Sequence, residues 1–298
     1  MIVHVVSLLV LGVVCFQPLH AQMVYYEGGL SMSSGSYIFT ERTTNWVLSS
    51  GIAVSAGPFT IRGTIPAYRQ NSTLLSATAA GIVPTGGSSS SAVADSSAAR
   101  KGGRGGGGNS QLVAALPSFQ ETVVMATDPV EVPTTSVTGY RVTIGDPMVN
   151  VSATLAEVGR TSIMASVGAK VPVNDTAHYG TGEWDLGGSI SLSHGVGGSV
   201  LLGLDFSCWH FGDLPELDLR DGIMGAASIA YLGSTGWGGS ASLMAARSVI
   251  EGFENSYIAT GSLTRLSGFG AISLIVSAGL SEMAPDFTAG LSWRIGIV

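Results

Sequence analysis

The side chains that could carry out catalysis are few in this chain. Beyond residue 21 the histidines are three: His178, His194 and His210. A lipid hydrolase needs a serine, a histidine and an orienting polar residue together at one site. His178, with Asp175 nearby, is a weak candidate for such a group, and a solvated histidine in an extracellular loop is the preferred interpretation. We therefore expect a protein that is not an enzyme and keep a lipid hydrolase as an alternative.

Cofactor and nucleic-acid chemistry have little support in the sequence. No paired cysteines and no His-x-x-x-His spacing indicate a metal site, and we expect no cofactor. The glycine-rich run at 102–108 follows Lys101 but lacks the Gly-Lys-Ser/Thr order of a phosphate-binding loop. A formal net charge of -7 argues against nucleic acid as a partner.

The candidate functional residues are instead charged side chains that fall on the polar face of predicted strands. They are Glu27, Arg62, Lys170, Glu183, Asp185, Asp205 and Arg294. Charges inside a membrane protein normally face a cavity or one another and mark a solute path. Two interpretations stay open: these residues line a polar path, or opposite pairs such as Arg62 with Glu27 and Lys170 with Asp185 only neutralise one another and fill a narrow barrel.

Alternating apolar and polar residues identify the elements that would position these charges. In the last segment, the apolar residues from Phe287 to Ile297 alternate with Thr288, Gly290, Ser292 and other polar residues. The polar faces carry Ser, Thr and Gly rather than the Lys and Glu of a soluble sandwich, and the chain has only two lysines. Small polar residues suit the interior of a closed barrel whose apolar face meets lipid.

The connections between the predicted strands alternate strictly between short and long, as in outer-membrane barrels. We therefore predict an all-β fold, a transmembrane antiparallel β-barrel of about twelve strands, with counts of ten to fourteen left open. An even count places both termini in the periplasm. The predicted strands are 23–33, 44–56, 58–69, 148–157, 160–171, 182–194, 198–210, 222–232, 236–248, 256–266, 268–280 and 285–297.

Two segments lie outside this pattern. Residues 1–21 resemble a secretory signal peptide cleaved after Ala21, with a lipoprotein anchored at Cys15 as the alternative. Residues 22–298 then form the barrel, with 70–147 as one long extracellular loop. Its part at 86–110 is rich in Gly and Ser, and we expect it to be disordered. A plug that folds into the pore is the alternative for this loop.

Motifs between residues 140 and 200 carry a family resemblance. Gly145-Asp146-Pro147 leads into a strand, Gly168-Ala169-Lys170-Val171-Pro172 follows, and Gly180-Thr181-Gly182-Glu183-Trp184-Asp185 opens another strand. The chain thereby resembles the bacterial outer-membrane family associated with phenol meta-cleavage pathways. It departs from that family at Val171, at Val173-Asn174 and in the insertion at 86–110. The resemblance implies a barrel that transports small, often aromatic or hydrophobic, compounds.

The expected function is accordingly an outer-membrane channel or transporter for small solutes, in a Gram-negative bacterium. The expected partners are outer-membrane lipid, lipopolysaccharide and an unidentified small-molecule solute. A structural or adhesive outer-membrane barrel without transport is one alternative, and an outer-membrane lipid hydrolase is the other. At the strand ends we expect an aromatic girdle that contains Trp46, Trp184, Trp237, Tyr257 and Trp293.

Overall fold

The computed structural model describes residues 23–39, 42–72, 74–79, 81–85, 141–174, 180–213 and 219–297. The predicted signal peptide, the predicted disordered segment at 86–110 and His178 lie outside these ranges. All regular elements in the described ranges are β-strands. None of the described residues belongs to a helix long and apolar enough to cross a membrane.

The described strands are fifteen, numbered here in chain order. They are β1 (Met23–Gly35), β2 (Thr43–Ala56), β3 (Phe59–Gln70), β4 (Leu75–Thr78), β5 (Gly81–Pro84), β6 (Arg141–Ile144), β7 (Met148–Val158), β8 (Thr161–Lys170), β9 (Asp185–Val196), β10 (Val200–His210), β11 (Gly222–Leu232), β12 (Trp237–Ala246), β13 (Ser256–Ser267), β14 (Gly270–Gly279) and β15 (Phe287–Gly296).

Twelve of these strands, β1 to β3 and β7 to β15, close into an antiparallel barrel. Each strand pairs with its neighbours in chain order, β3 pairs with β7, and the ring closes because β1 pairs with both β2 and β15. Glu27 on β1, for example, stands opposite Gly51 on one side and Arg294 on the other. The predicted count of twelve is confirmed, and the predicted strand ends agree to within three residues.

Tight turns join the strands at one end of the barrel, which we call the turn side; longer connections lie at the other end, the loop side. Gly57 (φ 57°) and Gly159 (φ 62°) occupy turn positions in the left-handed region, where a side chain would be strained. The long connections on the loop side are 36–42, 71–147, 171–184, 211–221, 247–255 and 280–286.

The two faces of the barrel wall differ as the alternation predicted. Large apolar side chains such as Leu48, Ile52 and Leu204 are exposed on one face. On the opposite face, hydroxyl side chains of neighbouring strands pair with each other, as in Ser166 with Ser189 (2.7 Å) and in Thr260 with Ser277 (2.9 Å). Such cross-strand pairs stabilise a sheet. We call this second face the polar face.

Aromatic residues lie near both ends of the wall. Trp46, Trp184 and Tyr257 are exposed on the loop side, and Trp237 is exposed on the turn side. Trp293, near the turn-side end of β15, is half-buried. The guanidinium of Arg265 lies 5.3 Å from the centre of the Trp237 ring. Exposed aromatic residues at these positions are typical of barrels that meet the membrane–water interface.

The two ends of the long connection between β3 and β7 contain structure that the sequence did not predict. At its start, β4 and β5 form a two-stranded hairpin, with Leu75 opposite Pro84 and Thr78 opposite Gly81. At its end, β6 pairs with the last four residues of β3, so it extends the wall on the loop side. The segment that departs from the barrel pattern is therefore shorter than 70–147.

Candidate functional site

Closure of the barrel brings three of the predicted charged residues together near the turn side. Glu27 on β1 stands between Arg294 on β15 and Arg62 on β3, on the polar face. The Nε atom of Arg294 donates a hydrogen bond to Glu27 Oε1 (2.6 Å), across 267 residues of sequence. The Nε atom of Arg62 lies 2.6 Å from Glu27 Oε2. We call these three residues the arginine–glutamate triad.

The arginine–glutamate triad forms part of the wall of a cavity of about 420 Å³. Hydroxyl side chains contribute much of the remaining wall: Ser49, Thr64, Ser273 and Ser292. The Tyr25 ring lies beside Arg294, with 5.5 Å between the guanidinium carbon and the ring centre. Two guanidinium groups and one carboxylate give this site a formal local charge of +1.

Lys170 and Asp185 form a second cluster, on the loop side. They stand opposite each other in the register of β8 and β9, and Lys170 Nζ lies 3.6 Å from Asp185 Oδ2. Lys170 Nζ also donates hydrogen bonds to Thr181 Oγ1 (2.8 Å) and Asp146 Oδ2 (3.3 Å). All four residues are buried. We call them the lysine–aspartate cluster.

Asp146 in this cluster also holds the connection that follows β8. Its Oδ1 atom accepts hydrogen bonds from the backbone N–H groups of Val173 (3.0 Å) and Asn174 (2.9 Å) and from Asn174 Nδ2 (3.1 Å). Hydrogen bonds to a charged acceptor are among the stronger ones in proteins. The lysine–aspartate cluster therefore fixes the backbone between β8 and β9.

Asp185 ties two further segments to the wall. Its Oδ2 atom accepts a hydrogen bond from the backbone N–H of Ala79, in the turn between β4 and β5 (2.7 Å). Its Oδ1 atom accepts another from the backbone N–H of Gly212, just after β10 (3.0 Å). One buried carboxylate thus joins the β4–β5 hairpin, the wall and the connection after β10.

The β4–β5 hairpin and the loop-side connections pack on each other through an apolar cluster. Phe211 and Leu219, between β10 and β11, are buried with Val249 and Ile250, between β12 and β13. Val83 of the hairpin, Trp209 and Phe253 pack against this cluster. The hairpin and the connections after β10 and β12 therefore pack together on the loop side. We call the hairpin and the apolar cluster together the cap.

A second connection on the loop side is also closely packed. Tyr37, between β1 and β2, is buried, and Met283 and Ala284, between β14 and β15, are buried as well. Burial raises the pKa of the Tyr37 phenol to about 12, so this group stays protonated at neutral pH. The Arg42 guanidinium forms an exposed ion pair with Asp286 across the same two connections.

The two remaining predicted residues take part in neither cluster. Asp205 on β10 is exposed on the polar face and accepts a hydrogen bond from Ser191 Oγ (2.5 Å). Glu183 lies outside β9, which begins at Asp185 rather than at residue 182, and its side chain is exposed. The assignment of Glu183 to a strand face was therefore wrong, because the chain between Gly180 and Trp184 is irregular and does not alternate.

The described histidines make local contacts only. His194 Nδ1 lies 2.8 Å from Thr161 Oγ1, its cross-strand partner near the turn side. His210 Nδ1 lies 2.8 Å from Asp221 Oδ1, and both side chains are exposed. In the part of the chain that the structure describes, no serine hydroxyl is hydrogen-bonded to either ring. His178, the residue considered for hydrolysis, lies outside that part.

Asp146 and Thr181 are site residues that the sequence analysis did not select. Both lie within the motifs that carry the family resemblance: Asp146 in Gly145-Asp146-Pro147 and Thr181 in the segment that precedes Asp185. The three motifs are far apart in sequence but meet in the lysine–aspartate cluster. Each of the three motifs contains at least one charged or hydroxyl residue, and this common feature is the signal that could have linked the motifs.

Comparison with known proteins places the fold. The sequence matches no protein-family model and no curated protein. The structure is similar to that of the COG4313 outer-membrane channel from Pseudomonas putida F1, at 10% identity and a TM-score of 0.56, with 95% of this chain and 97% of that chain covered. The chain therefore has the fold of an outer-membrane β-barrel.

Two further solved structures resemble the chain more loosely. The KdgM porin matches at 6% identity and a TM-score of 0.46, over 92% of this chain and 99% of that chain. The toluene transporter TodX of P. putida matches at 12% identity and a TM-score of 0.40, over 95% of this chain and 91% of that chain. Superpositions at these scores add nothing to the argument for the fold.

Proposed function

We propose that this protein is an outer-membrane channel or transporter for small solutes, and that it is not an enzyme. The observation that carries the proposal is the cavity beside the arginine–glutamate triad, with hydroxyl groups and two accessible guanidinium groups in its wall. The turn side faces the periplasm in this proposal. The signal peptide at 1–21 delivers the chain to that compartment.

The exposure of the charged side chains favours a solute path through the barrel over an interior in which the charges only neutralise one another. A barrel whose charges merely neutralise one another would bury them, because its interior would be packed. The side chains of Arg62 and Arg294 are instead 39% and 51% exposed, next to a cavity. Charged groups that remain accessible inside a membrane protein are typical of a solute path.

In this proposal the cap closes the channel at rest on the loop side. The β4–β5 hairpin is held by Asp185 through the Ala79 N–H, and Val83 packs on the buried Phe211 cluster. A solute that enters from outside must displace these segments or pass between them. A gated transporter fits this arrangement better than an open pore.

The polar face also limits the class of solute. A face of serine and threonine hydroxyls with guanidinium groups favours molecules that bring a polar group of their own, because desolvated hydroxyls need partners. The aromatic and hydrophobic compounds that the family resemblance implies fit this path when they carry such a group. We propose small solutes of this kind, up to the size of a substituted aromatic ring.

A matched pair of tryptophan substitutions tests whether the cavity is a path. Ser49 lines the cavity, and its neighbour Leu48 is exposed on the opposite, apolar face. In liposome-swelling measurements with small sugars and amino acids, Ser49→Trp should slow swelling severalfold. Leu48→Trp should leave the rate unchanged, because its ring enters lipid.

Two outcomes would overturn the proposal. If the purified wild-type protein supports neither swelling nor ionic conductance, the barrel is structural or adhesive. If it hydrolyses phospholipid or acyl esters, and His178→Ala abolishes that activity, the protein is a lipid hydrolase.

A further inference from the structure

The arginine–glutamate triad has its positive charge accessible and its negative charge covered. The Glu27 side chain is 15% exposed, against 39% for Arg62 and 51% for Arg294. Glu27 Oε1 accepts hydrogen bonds from Arg294 Nε (2.6 Å) and from Arg62 Nη2 (3.4 Å), and Arg62 Nε lies 2.6 Å from Glu27 Oε2 in an ion pair. A solute in the cavity therefore meets guanidinium groups rather than the carboxylate.

The two arginines keep hydrogen-bond donors to spare. A guanidinium group has five N–H donors, and Glu27 accepts from Arg294 Nε and, at 3.4 Å, from Arg62 Nη2. Within the described residues, no hydrogen bond occupies the Nη1 atom of Arg62 or either Nη atom of Arg294. These donors are the groups that bind a carboxylate in a two-pronged arrangement.

The surroundings of the cavity reinforce its preference for anions. Among the described residues that line the cavity, Glu27 is the one acidic residue, and each of its oxygens lies 2.6 Å from an arginine Nε atom. The hydroxyl groups of Thr64, Ser273 and Ser292 can donate further hydrogen bonds to an anion. The Tyr25 ring, 5.5 Å from the Arg294 guanidinium, holds that group by a cation–π interaction.

We infer that Arg62 and Arg294 form a binding subsite for small carboxylates and make the path selective for anions. This inference rests on the proposed channel function and names the class of solute that the path accepts. The second guanidinium gives the site its selectivity: with one arginine, Glu27 would cancel the charge, whereas with two the site keeps a net +1.

Ion selectivity tests the charge of the subsite directly. The purified full-length protein is placed in a planar bilayer across a KCl gradient, and the reversal potential gives the permeability ratio of chloride to potassium. At about 0.1 M salt the Debye length is about 10 Å, so a wall charge still acts on ions in a narrow path. We expect the wild-type ratio to exceed one.

Substitutions within the triad should move this ratio in opposite directions. Arg62→Ala and Arg294→Ala should each lower it about fivefold, because removal of one positive charge stabilises cations and destabilises anions in the path. Glu27→Gln should raise it about twofold or more, since both guanidinium charges are then uncompensated. A variant that merely misfolds cannot raise the anion preference, so the Glu27→Gln result separates charge from structure.

Arg265→Ala is the matched control. Arg265 is also an arginine near the turn side, but it stands opposite Trp237 in the register of β12 and β13 and lies beside that exposed ring. Its charge belongs to the outer surface of the barrel. The permeability ratio of Arg265→Ala should equal that of the wild type.

Carboxylate binding is tested with two probes of the same shape. Sodium benzoate added at millimolar concentration should reduce the chloride conductance of the wild type and have at least tenfold less effect on the Arg62→Ala/Arg294→Ala double variant. Neutral benzamide should not reduce the conductance of either protein. If benzamide blocks as well as benzoate does, the site recognises the ring and the carboxylate subsite is wrong.

The failure of this inference is distinguishable from failure of the channel. If the wild type conducts but the triad variants leave its selectivity unchanged, the subsite is wrong and the channel stands. If neither the wild type nor any variant conducts, the proposed channel function is wrong, and so is the subsite that depends on it.

Discussion

Lys170 Nζ lies 3.6 Å from Asp185 Oδ2, and the two side chains are 3% and 0% exposed. Two buried charges of opposite sign stabilise one another only while both are present, because a single charge left in the interior has neither water nor a partner. In this barrel the lysine has a second acidic neighbour, Asp146, so its removal would leave two carboxylates close together.

Lys170→Met should therefore destabilise the barrel strongly. We expect the free energy of unfolding to fall by about 3–5 kcal/mol, the usual cost of breaking a buried ion pair from one side. Guanidinium titration of the refolded protein, followed by tryptophan fluorescence, measures this change. Arg42→Met is the control: its exposed pair with Asp286 should contribute less than about 1 kcal/mol. If Lys170→Met and Arg42→Met lower the free energy of unfolding equally, the buried lysine–aspartate cluster does not stabilise the barrel more than the exposed Arg42–Asp286 pair does.

Asp185→Ala should release the cap. The substitution removes the acceptor of the Ala79 and Gly212 N–H groups, which hold the β4–β5 hairpin and the connection after β10. Hydrogen bonds to a charged acceptor contribute about 1.5–3 kcal/mol each, so the open fraction should rise at least about tenfold. Single-channel recording measures open probability, and limited proteolysis within 71–85 reports the freed hairpin.

Two variants make the cap experiment specific. Asp185→Asn keeps one oxygen that can accept one of the two N–H groups, so its opening should lie between the wild type and Asp185→Ala. Asp221→Ala removes an aspartate on the same side of the barrel, but its side chain pairs with that of His210, both side chains are exposed, and neither belongs to the apolar cluster of the cap. Opening by Asp221→Ala to the same extent would mean that the effect comes from loop charge in general.

The wall of the barrel was predictable from the sequence because its rules are local. Alternation with period two sets which residues share a face, and the closed ring then fixes which strands are neighbours. Lys170 and Asp185 could be paired in advance because β8 and β9 are consecutive and joined in antiparallel register. Arg62 and Glu27 could be paired in the same way, because β1 and β3 both pair with β2.

The cap was not predictable, because its contacts depend on the finished barrel. The hairpin strands Leu75–Thr78 and Gly81–Pro84 have four residues each, too few for a pattern, and they are held by Asp185, 106 residues away from Ala79. From the sequence, Asp146 is recognisable only as part of the Gly145-Asp146-Pro147 motif that leads into a strand. Its partners are Lys170, the last residue of the β7–β8 hairpin, and Asn174, which follows that hairpin, so both approach Asp146 only after β7 and β8 pair.

A last prediction concerns the seam where β1 meets β15. Gly28 stands opposite Trp293, and a Cβ atom at residue 28 would lie 2.6 Å from the indole ring. Tryptophan packed over a cross-strand glycine covers backbone that would otherwise meet lipid directly. Gly28→Ala must push the ring aside, and we expect a loss of about 1–2 kcal/mol, as for other overpacked sites.

Gly63→Ala on β3 is the matched control for this seam, since a Cβ atom there has no heavy atom within 4 Å. Alanine restricts the unfolded chain more than glycine does, so Gly63→Ala should be neutral or slightly stabilising. Guanidinium unfolding of both variants gives the comparison, and the emission maximum of tryptophan reports whether Trp293 has moved. If Gly28→Ala changes neither the free energy of unfolding nor the emission maximum, Trp293 does not pack on Gly28 in the membrane. The pairing of β1 with β15 would then be held by its backbone hydrogen bonds alone.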